Sequence, residues 1–552
     1  FTTENLIDMV KKMENKNSRD LDGLSNNFLK QIICEIAEPL THVLNLSLKT
    51  GVIPQQLKRA KVVPIFKLNK SANNEHLNPL FYRPISLLPI FSKILEKKVA
   101  DSLVKYLDDF NLIYKHQYGY RKKYSTYHPM IHLMNKVTSA LNNGDIAIGV
   151  FCDLQKAFDT CKHSILISKL KKYKIFNAEL KWFENYLDNR EQQVTVDNKL
   201  SEKKVNSTGV PQGSILGPIL FLIYINDLPN VTSLLMLLFA DDCSLLITGK
   251  TLHEIIPKLN DELHKMCTWF RAHELALHPE KTKFMIFTLN EKNINFDELN
   301  INLNYNNANQ NDPDLIKRLS FVNSKSKVPA IKFLGVYIDP SLSFKFHLEK
   351  IKSSISKSLF IMKKSSGFLS ENALTTLYYS LIHCHLTYCN EIWSCGLESS
   401  LKSLKVQQKK AIRLITRSRY NEHTEPLFKQ KQILPLTNLV NLSKLKFMFG
   451  LKKKTVPSSF QNVWLTHSEM NLHSHDLRQD SEQYYVLISR LNRYKNFPLY
   501  SYSKIWNDLD QFMKNIEVKN IFENALKVSF LSELNSSVNC TRLYCPSCNN
   551  NT

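Results

Sequence analysis

Residues 233–249 read SLLMLLFADDCSLLITG, which places Asp241 and Asp242 side by side in an otherwise apolar run with the pattern of two short strands around a turn. Few chains can fold around such a pair. The residues on either side, Leu237, Leu238 and Phe239 before and Leu245, Leu246 and Ile247 after, are those of buried strands. A desolvated carboxylate pair costs several kcal/mol unless a cation neutralises it. In a surface turn the pair would be unremarkable, so it is the apolar flanks that call for a counter-charge.

A third carboxylate, Asp153, ends the apolar run IGVFCD, giving two strand ends with acidic tips. Hard oxygen ligands on a few rigid positions suit Mg²⁺, which keeps open coordination sites for water and phosphates. Two such ions can activate a 3′ hydroxyl and stabilise a leaving pyrophosphate, the chemistry of a polymerase palm. The segment 207–229, STGVPQGSILGPILFLIYINDLP, places Gly209, Gly213 and Gly217 within nine residues of a chain that has only 13 Gly. That clustering predicts a close approach of backbone to a ligand, with Gln212 at its centre, followed by a tightly packed helix.

The balance of charge points the same way. With 73 Lys and Arg against 50 Asp and Glu, the 552 residues carry a net +23, a surface whose natural partners are polyanions. Between 345 and 455 the pattern is helical, and 20 Lys or Arg face 6 Asp or Glu. Eleven Cys at irregular spacing fit free thiols better than a disulfide framework. The most apolar stretch is broken by Asn226, Asp227 and Pro229 before either half reaches the roughly 20 residues of a membrane span, so no membrane partner is expected. The first residue is Phe1 rather than Met, which reads as a piece of a larger product. Residues 1 to about 140 read as mainly helical with Pro-marked loops, VVPIFKLNK and LFYRPISLLP among them. AIGVFCDL reads as a buried strand feeding a helix, and the Asn-rich stretch 291–327 as a mobile insertion.

Taken in order, GVFCDLQKAFD, GVPQGSILGPILFLIYINDLP, FADD, LHPEKTKFMIF and KFLGVYID resemble the reverse transcriptases of non-LTR retrotransposons, most of all the jockey-like LINE elements. VVPIFKLNK, YRPISLLPIFSKILEK and HQYGYRKKYST extend the likeness upstream, and HTEPLFKQKQILPL and YSKIWNDLD downstream. The resemblance implies an α+β right-hand polymerase that copies RNA into DNA. A 1–50 extension would precede a reverse transcriptase domain at 51–338, with fingers at about 51–145 and a palm with an antiparallel sheet at about 146–338. A basic helical thumb at 339–430 and a mainly helical, family-specific region at 431–552 would follow. It also implies two Mg²⁺ ions on Asp153, Asp241 and Asp242, and an aromatic steric gate at Phe158 against a ribose 2′ hydroxyl. Gln212 and Gly213 would line the nucleotide and template, Lys67 and Arg83 would grip the triphosphate, and Lys281 would stand near departing pyrophosphate. The partners implied are an RNA template, a DNA primer or nicked target DNA, and dNTPs, in the nucleus and cytoplasm; an upstream endonuclease domain is expected but absent from this chain.

Phe239 stands where the family carries Tyr or Phe. His128 and Pro129 depart from the small and acidic residues expected after ST, and Lys162 from an acid. Asp159 reads as a helix-turn acid making local ion pairs. Cys540, Cys545 and Cys548 are three candidate zinc ligands, but no fourth is evident nearby and a structural zinc site wants four. The Cys and His of HCHLTYCNEIWSC read as core residues of a helical segment. Two readings compete with an active polymerase: a catalytically inactive or domesticated nucleic-acid-binding remnant, and an intron-maturase-like RNA-binding protein.

Overall fold

The structure, a computed structural model, describes every residue except 67–77, 290–298, 305–315, 397, 471–482, 488 and 535–552. Two helices, α1 (Thr3–Lys11) and α2 (Asn26–Thr50), precede β1 (Arg59–Phe66) and β2 (Tyr82–Leu87), and α3 (Ile90–Asp109) and α4 (Tyr127–Asn143) lead into β3 (Ile146–Cys152). The segments around VVPIF and YRPISL are therefore strands, not the Pro-marked loops expected from the sequence. They pair antiparallel with Pro64 opposite Pro84, while the parallel pairing of β1 with the next strand of its sheet stops at Val62. The prolines thus lie beyond the doubly paired part of β1, where a missing N–H is tolerated.

After α5 (His163–Lys172) and α6 (Asn177–Leu187) come β4 (Arg190–Val196), β5 (Lys199–Leu200) and β6 (Lys204–Asn206). The first sheet runs β2-β1-β4-β5, with β6 also on β4. Helix α7 (Gly217–Ile225), with the composition GPILFLIYI, is apolar on every side and buried on every side, as such a helix must be. The hairpin β7 (Leu235–Phe239) and β8 (Asp242–Gly249) follows, then α8 (Leu252–Ala272) and β9 (Lys283–Phe287).

Strands β10 (Asn302–Asn304) and β11 (Ile316–Arg318) pair antiparallel within the segment expected to be a mobile insertion. Leu299, Ile301, Leu303 and Leu319 are buried there, and Asn260 of α8 donates to the Asn300 carbonyl at 2.9 Å. Four buried aliphatic residues suffice to dock the described part of this segment, despite its asparagines. Next come β12 (Ser320–Phe321), the hairpin β13 (Ile331–Phe333) and β14 (Val336–Ile338), and α9 (Lys345–Ser365). The remaining described chain is mainly helical, with long helices at Glu398–Ile415, Leu436–Lys452 and Lys519–Ser532. No described helix is long and apolar enough to cross a membrane.

The second sheet, β12-β9-β3-β8-β7, is the centre of the molecule and is covered on both faces. Strand alternation divides its side chains: Ile148, Val150, Cys152, Leu238, Leu245 and Ile286 pack in one core with α3, α7 and α8. Ala147, Phe151, Leu237, Leu246, Met285 and Phe287 pack in the other with α4 and the C-terminal helices. On that side His132 of α4 stacks on Phe460 at 4.0 Å, and its Nε2 lies 3.1 Å from the Ser459 hydroxyl. Burial pushes the His132 imidazole down to about 3, so it joins the two regions as a neutral ring.

Glu96 of α3 ties three elements together from within the core. It accepts the Tyr186 hydroxyl of α6 and the Ile215 N–H of the Gly-rich segment, each at 2.8 Å. Burial pushes its carboxyl up, while Arg190, Tyr186 and the Ile215 and Leu216 N–H groups draw it back. Removing this acceptor takes a partner from the buried Tyr186 hydroxyl and the part-buried Ile215 N–H, and a counter-charge from Arg190. Glu96→Ala is expected to lower unfolding free energy by about 3–5 kcal/mol; urea denaturation checks it, and a loss below about 1 kcal/mol would show the network to be dispensable.

Candidate active site

The doubly buried sheet leaves one end open, and the acidic residues sit there. Cys152 of β3 and Cys243 of β8 are register partners, so Asp153 leaves β3 beside Asp242, the first residue of β8. Phe239 and Asp242 close the β7–β8 hairpin around Ala240 and Asp241. Ala240 is in the left-handed region, with φ of 57°, and is buried. Such a turn needs support. It comes from Gln117, whose side-chain oxygen accepts the Ala240 N–H at 3.0 Å and the Gly119 N–H at 2.9 Å.

Asp153 is held by its backbone: its carbonyl accepts the His278 N–H at 2.7 Å, and its N–H points to the Thr282 hydroxyl at 3.4 Å. Its Oδ2 is buried and accepts no hydrogen bond, but the Lys281 ammonium lies 3.2 Å away. Burial pushes the Asp241 carboxyl up, and the charge of Asp153 adds to that while Arg83 opposes it. Asp242, at the rim and still open to solvent, is pushed up to about 6 by partial desolvation, then by Asp241 and Asp153. Asp241 and Asp242 repel one another and feel the charge of Asp153 in a setting that disfavours their own charge, which is the demand a cation meets. Among the described residues, no three Asp, Glu, His or Cys side chains are gathered closely enough to form a metal site by themselves. The donor chemistry fits a hard divalent ion that also takes ligands from water or phosphate.

The nearby residues come from segments far apart in the sequence. Phe158 stacks on the buried Phe221 of α7 at 4.7 Å, and its outer side meets Tyr120 edge-on at 6.2 Å. Gln212 donates to the Asp159 carboxylate at 3.3 Å, so Asp159 orients an amide rather than serving only in local ion pairs. The Gln212 carbonyl accepts the Ser86 N–H of β2 at 2.6 Å, joining the Gly-rich segment to the first sheet. Gly213 has a φ of 115°, and a Cβ there would lie 2.6 Å from the Ser86 oxygen, so only glycine allows this approach. Arg83, exposed on the same strand, is near enough to act electrostatically on Asp241. A cleft of about 370 Å³ opens beside Asp153 and Asp242, walled by Lys281, Lys283 and the β13–β14 hairpin.

Asp153, Asp241 and Asp242 influence one another electrostatically, with Arg83 acting on Asp241 and Lys281 on Asp153, while Phe158, Gln212 and Gly213 are held through Phe221 and Tyr120, Asp159 and Ser86. Lys67 and the cysteine set Cys540, Cys545 and Cys548 lie outside the described residues. Within HCHLTYCNEIWSC, Cys389 and Cys395 are buried as expected, but Cys384 is exposed. The sequence reading missed Gln117 and Tyr120, although both belong to the quoted HQYGYRKKYST. Their roles depend on a parallel bridge between Gln117 and Leu238, which no periodicity announces.

Residues 73–338 match the family of reverse transcriptases (RNA-dependent DNA polymerases). The chain is 28% identical over 436 residues to a probable RNA-directed DNA polymerase from transposon BS of Drosophila melanogaster, covering 75% of this chain and 44% of that protein. It is 24% identical over 459 residues to the RNA-directed DNA polymerase from mobile element jockey of the same organism, covering 81% and 47%. For the probable polymerase from transposon X-element the figures are 24% over 423 residues, 74% and 43%. The chain spans less than half the length of these curated relatives.

The raised Asp242 value has a testable sign. Its folded-state pKa of about 6 lies above the ordinary 3.8, so the stabilisation from its protonated form is present at low pH and lost as pH rises through 6. Asp242→Asn, in metal-free buffer, is expected to raise the melting temperature at pH 7.5, with the gain shrinking towards pH 4. Thermal melts at the two pH values decide it; a lower melting temperature at pH 7.5 would mean that the carboxylate is favourably paired.

Proposed function

We propose that this chain, whose residues 73–338 match the reverse transcriptase family and which is similar to the polymerases of Drosophila mobile elements, is an RNA-directed DNA polymerase that adds dNTPs to a primer 3′ hydroxyl on an RNA template. The observation that carries this reading is the convergence of Asp153, Asp241 and Asp242 at the open end of a sheet buried on both faces. In this reading the β12-β9-β3-β8-β7 sheet is a palm, the β1–β2 region the fingers, and the basic helices from α9 onward the thumb. Nicked target DNA would supply the primer.

Asp153 and Asp241, with Asp242 beside them, would hold divalent ions, Mg²⁺ being the best match to all-oxygen ligands. Bound there, such ions lower the pKa of a hydroxyl and screen the charge of phosphate oxygens. Arg83 of β2 acts electrostatically on Asp241, and a guanidinium there could take two phosphate oxygens at once. Gln212 and Gly213, fixed on Asp159 and Ser86, would present backbone and amide to the nucleotide and template. Phe158, backed by Phe221, would put a flat ring against the sugar and leave no room for a 2′ hydroxyl. Lys281 keeps a positive charge 3.2 Å from Asp153, near where pyrophosphate would leave.

Primer extension on an RNA template with Mg²⁺ tests the proposal. The wild type is expected to incorporate dNTPs and Asp241→Ala to lose nearly all incorporation; equal incorporation by both refutes the site. No incorporation by either, with RNA binding intact, favours a binding remnant. Arg83→Ala is expected to raise the dNTP KM about tenfold or more, as for loss of a charge-assisted phosphate contact; an unchanged KM removes Arg83 from the nucleotide site. Filter binding should show RNA affinity falling steeply with salt, since 20 Lys or Arg lie between 345 and 455. A flat response would exclude phosphate contacts as the main source of affinity.

A further inference from the structure

Tyr120 takes no part in the site as inferred from the sequence, yet few side chains are placed there so tightly. It follows Gly119, where a Cβ would sit 2.4 Å from the Ala240 nitrogen, closer than any side chain tolerates. Gln117 clamps both residues through one oxygen, and backbone bonds Tyr118 N–H to Leu238 carbonyl (2.8 Å) and Leu238 N–H to His116 carbonyl (3.0 Å) lay the segment along β7. The backbone at Tyr120 is left-handed, with φ of 52°, a conformation that costs a bulky residue energy. The ring gained by that strain is not buried: 55% of Tyr120 is exposed.

The exposed ring faces the site. It meets Phe158 edge-on, 6.2 Å between centroids and 84° between planes, while Phe221 stacks on Phe158 at 4.7 Å and 26°. Phe158 therefore meets two rings: Phe221, buried in the core, and Tyr120, whose backbone follows the Gly119 held by the clamp. Partial burial, and then the negative charge of Asp241, push the Tyr120 phenol up, so it stays neutral within reach of the Asp241 charge.

We propose that Tyr120 is a positioning residue for sugar specificity, its ring holding the Phe158 ring in the plane that excludes a ribonucleotide. The contact it makes is aromatic edge to aromatic face, so the ring carries the effect and the hydroxyl does not. The proposal rests on the reading of Phe158 as the sugar gate. It adds that the gate is set by the same segment that supports the Ala240 turn, which couples sugar selection to the placement of Asp241.

The test compares kcat/KM for a dNTP and the matching rNTP in the full chain, for wild type, Phe158→Ala, Tyr120→Phe and Tyr120→Leu, with thermal melts on each. Tyr120→Phe should keep the wild-type discrimination. Tyr120→Leu should lower it roughly three- to tenfold, the size of one aromatic pair, with the melting temperature unchanged because the side chain is more than half exposed. If Phe158→Ala relaxes discrimination and Tyr120→Leu does not, the Tyr120 proposal is overturned and the gate stands. Should Phe158→Ala leave it unchanged, the gate reading falls and takes the proposal with it. A shift for Tyr120→Phe equal to that for Tyr120→Leu would refute a role for the ring.

Discussion

Mutual repulsion among Asp153, Asp241 and Asp242 is the constraint on which the rest of the molecule depends. Charges left to themselves move apart or take up protons, and Asp242, raised to about 6, is partway to doing so. They stay together because the strands that carry them cannot separate. Strand β3 is hydrogen-bonded on both sides, to β8 and β9, and its side chains are buried in both cores. Breaking that arrangement to relieve the carboxylates would expose both layers. The energy that holds the acids together is therefore hydrophobic, and it is stored far from the cleft.

Packing alone fixes strands, not turns, and the acidic turn is secured by polar contacts. A single amide oxygen on Gln117 serves two backbone N–H groups and anchors the left-handed Ala240, so Asp241 starts from a defined backbone. The same economy appears at the Gly-rich segment. There Glu96 takes the Ile215 N–H, Ser86 donates to the Gln212 carbonyl, and Gly213 permits contact with the Ser86 oxygen. The site is thus framed by hydrogen bonds between elements distant in sequence, each of which fails if its element shifts.

That division explains what could be read from the residues in advance. Strand β3, the β7–β8 hairpin and helix α7 are written in local pattern: short continuous apolar runs ending in an acid, an apolar run of helical length, a Pro in the first turn. Asp153 and Asp241 were legible as a pair of acidic strand ends. Strands β1 and β2 were not, because Pro64 and Pro84 argue against strands unless their pairing is known. Nor was the packing of Leu299, Ile301, Leu303 and Leu319, because their asparagine neighbours hide four core residues in a polar average. Gln117 and Tyr120 were invisible for a different reason: a lone Gln or Tyr gains meaning only from the partner across the fold.

The same balance of forces bears on how a polyanion could reach an acidic cleft. Nucleic acid is repelled by three carboxylates, yet the chain as a whole carries +23, with its densest positive stretch between 345 and 455. Long-range attraction falls off within about 10 Å at moderate salt, so the basic helices can gather a strand but cannot place its end. Placement belongs to charges inside the cleft, Arg83 beside Asp241 and Lys281 beside Asp153. Lys281 is paired with Asp153 and Arg83 acts on Asp241 through space, so under the proposed function an entering phosphate would compete with carboxylates for both cations. Under the proposed function, a chain built this way would bind widely over its surface and react at one point only, where an incoming phosphate meets the charges of the cleft.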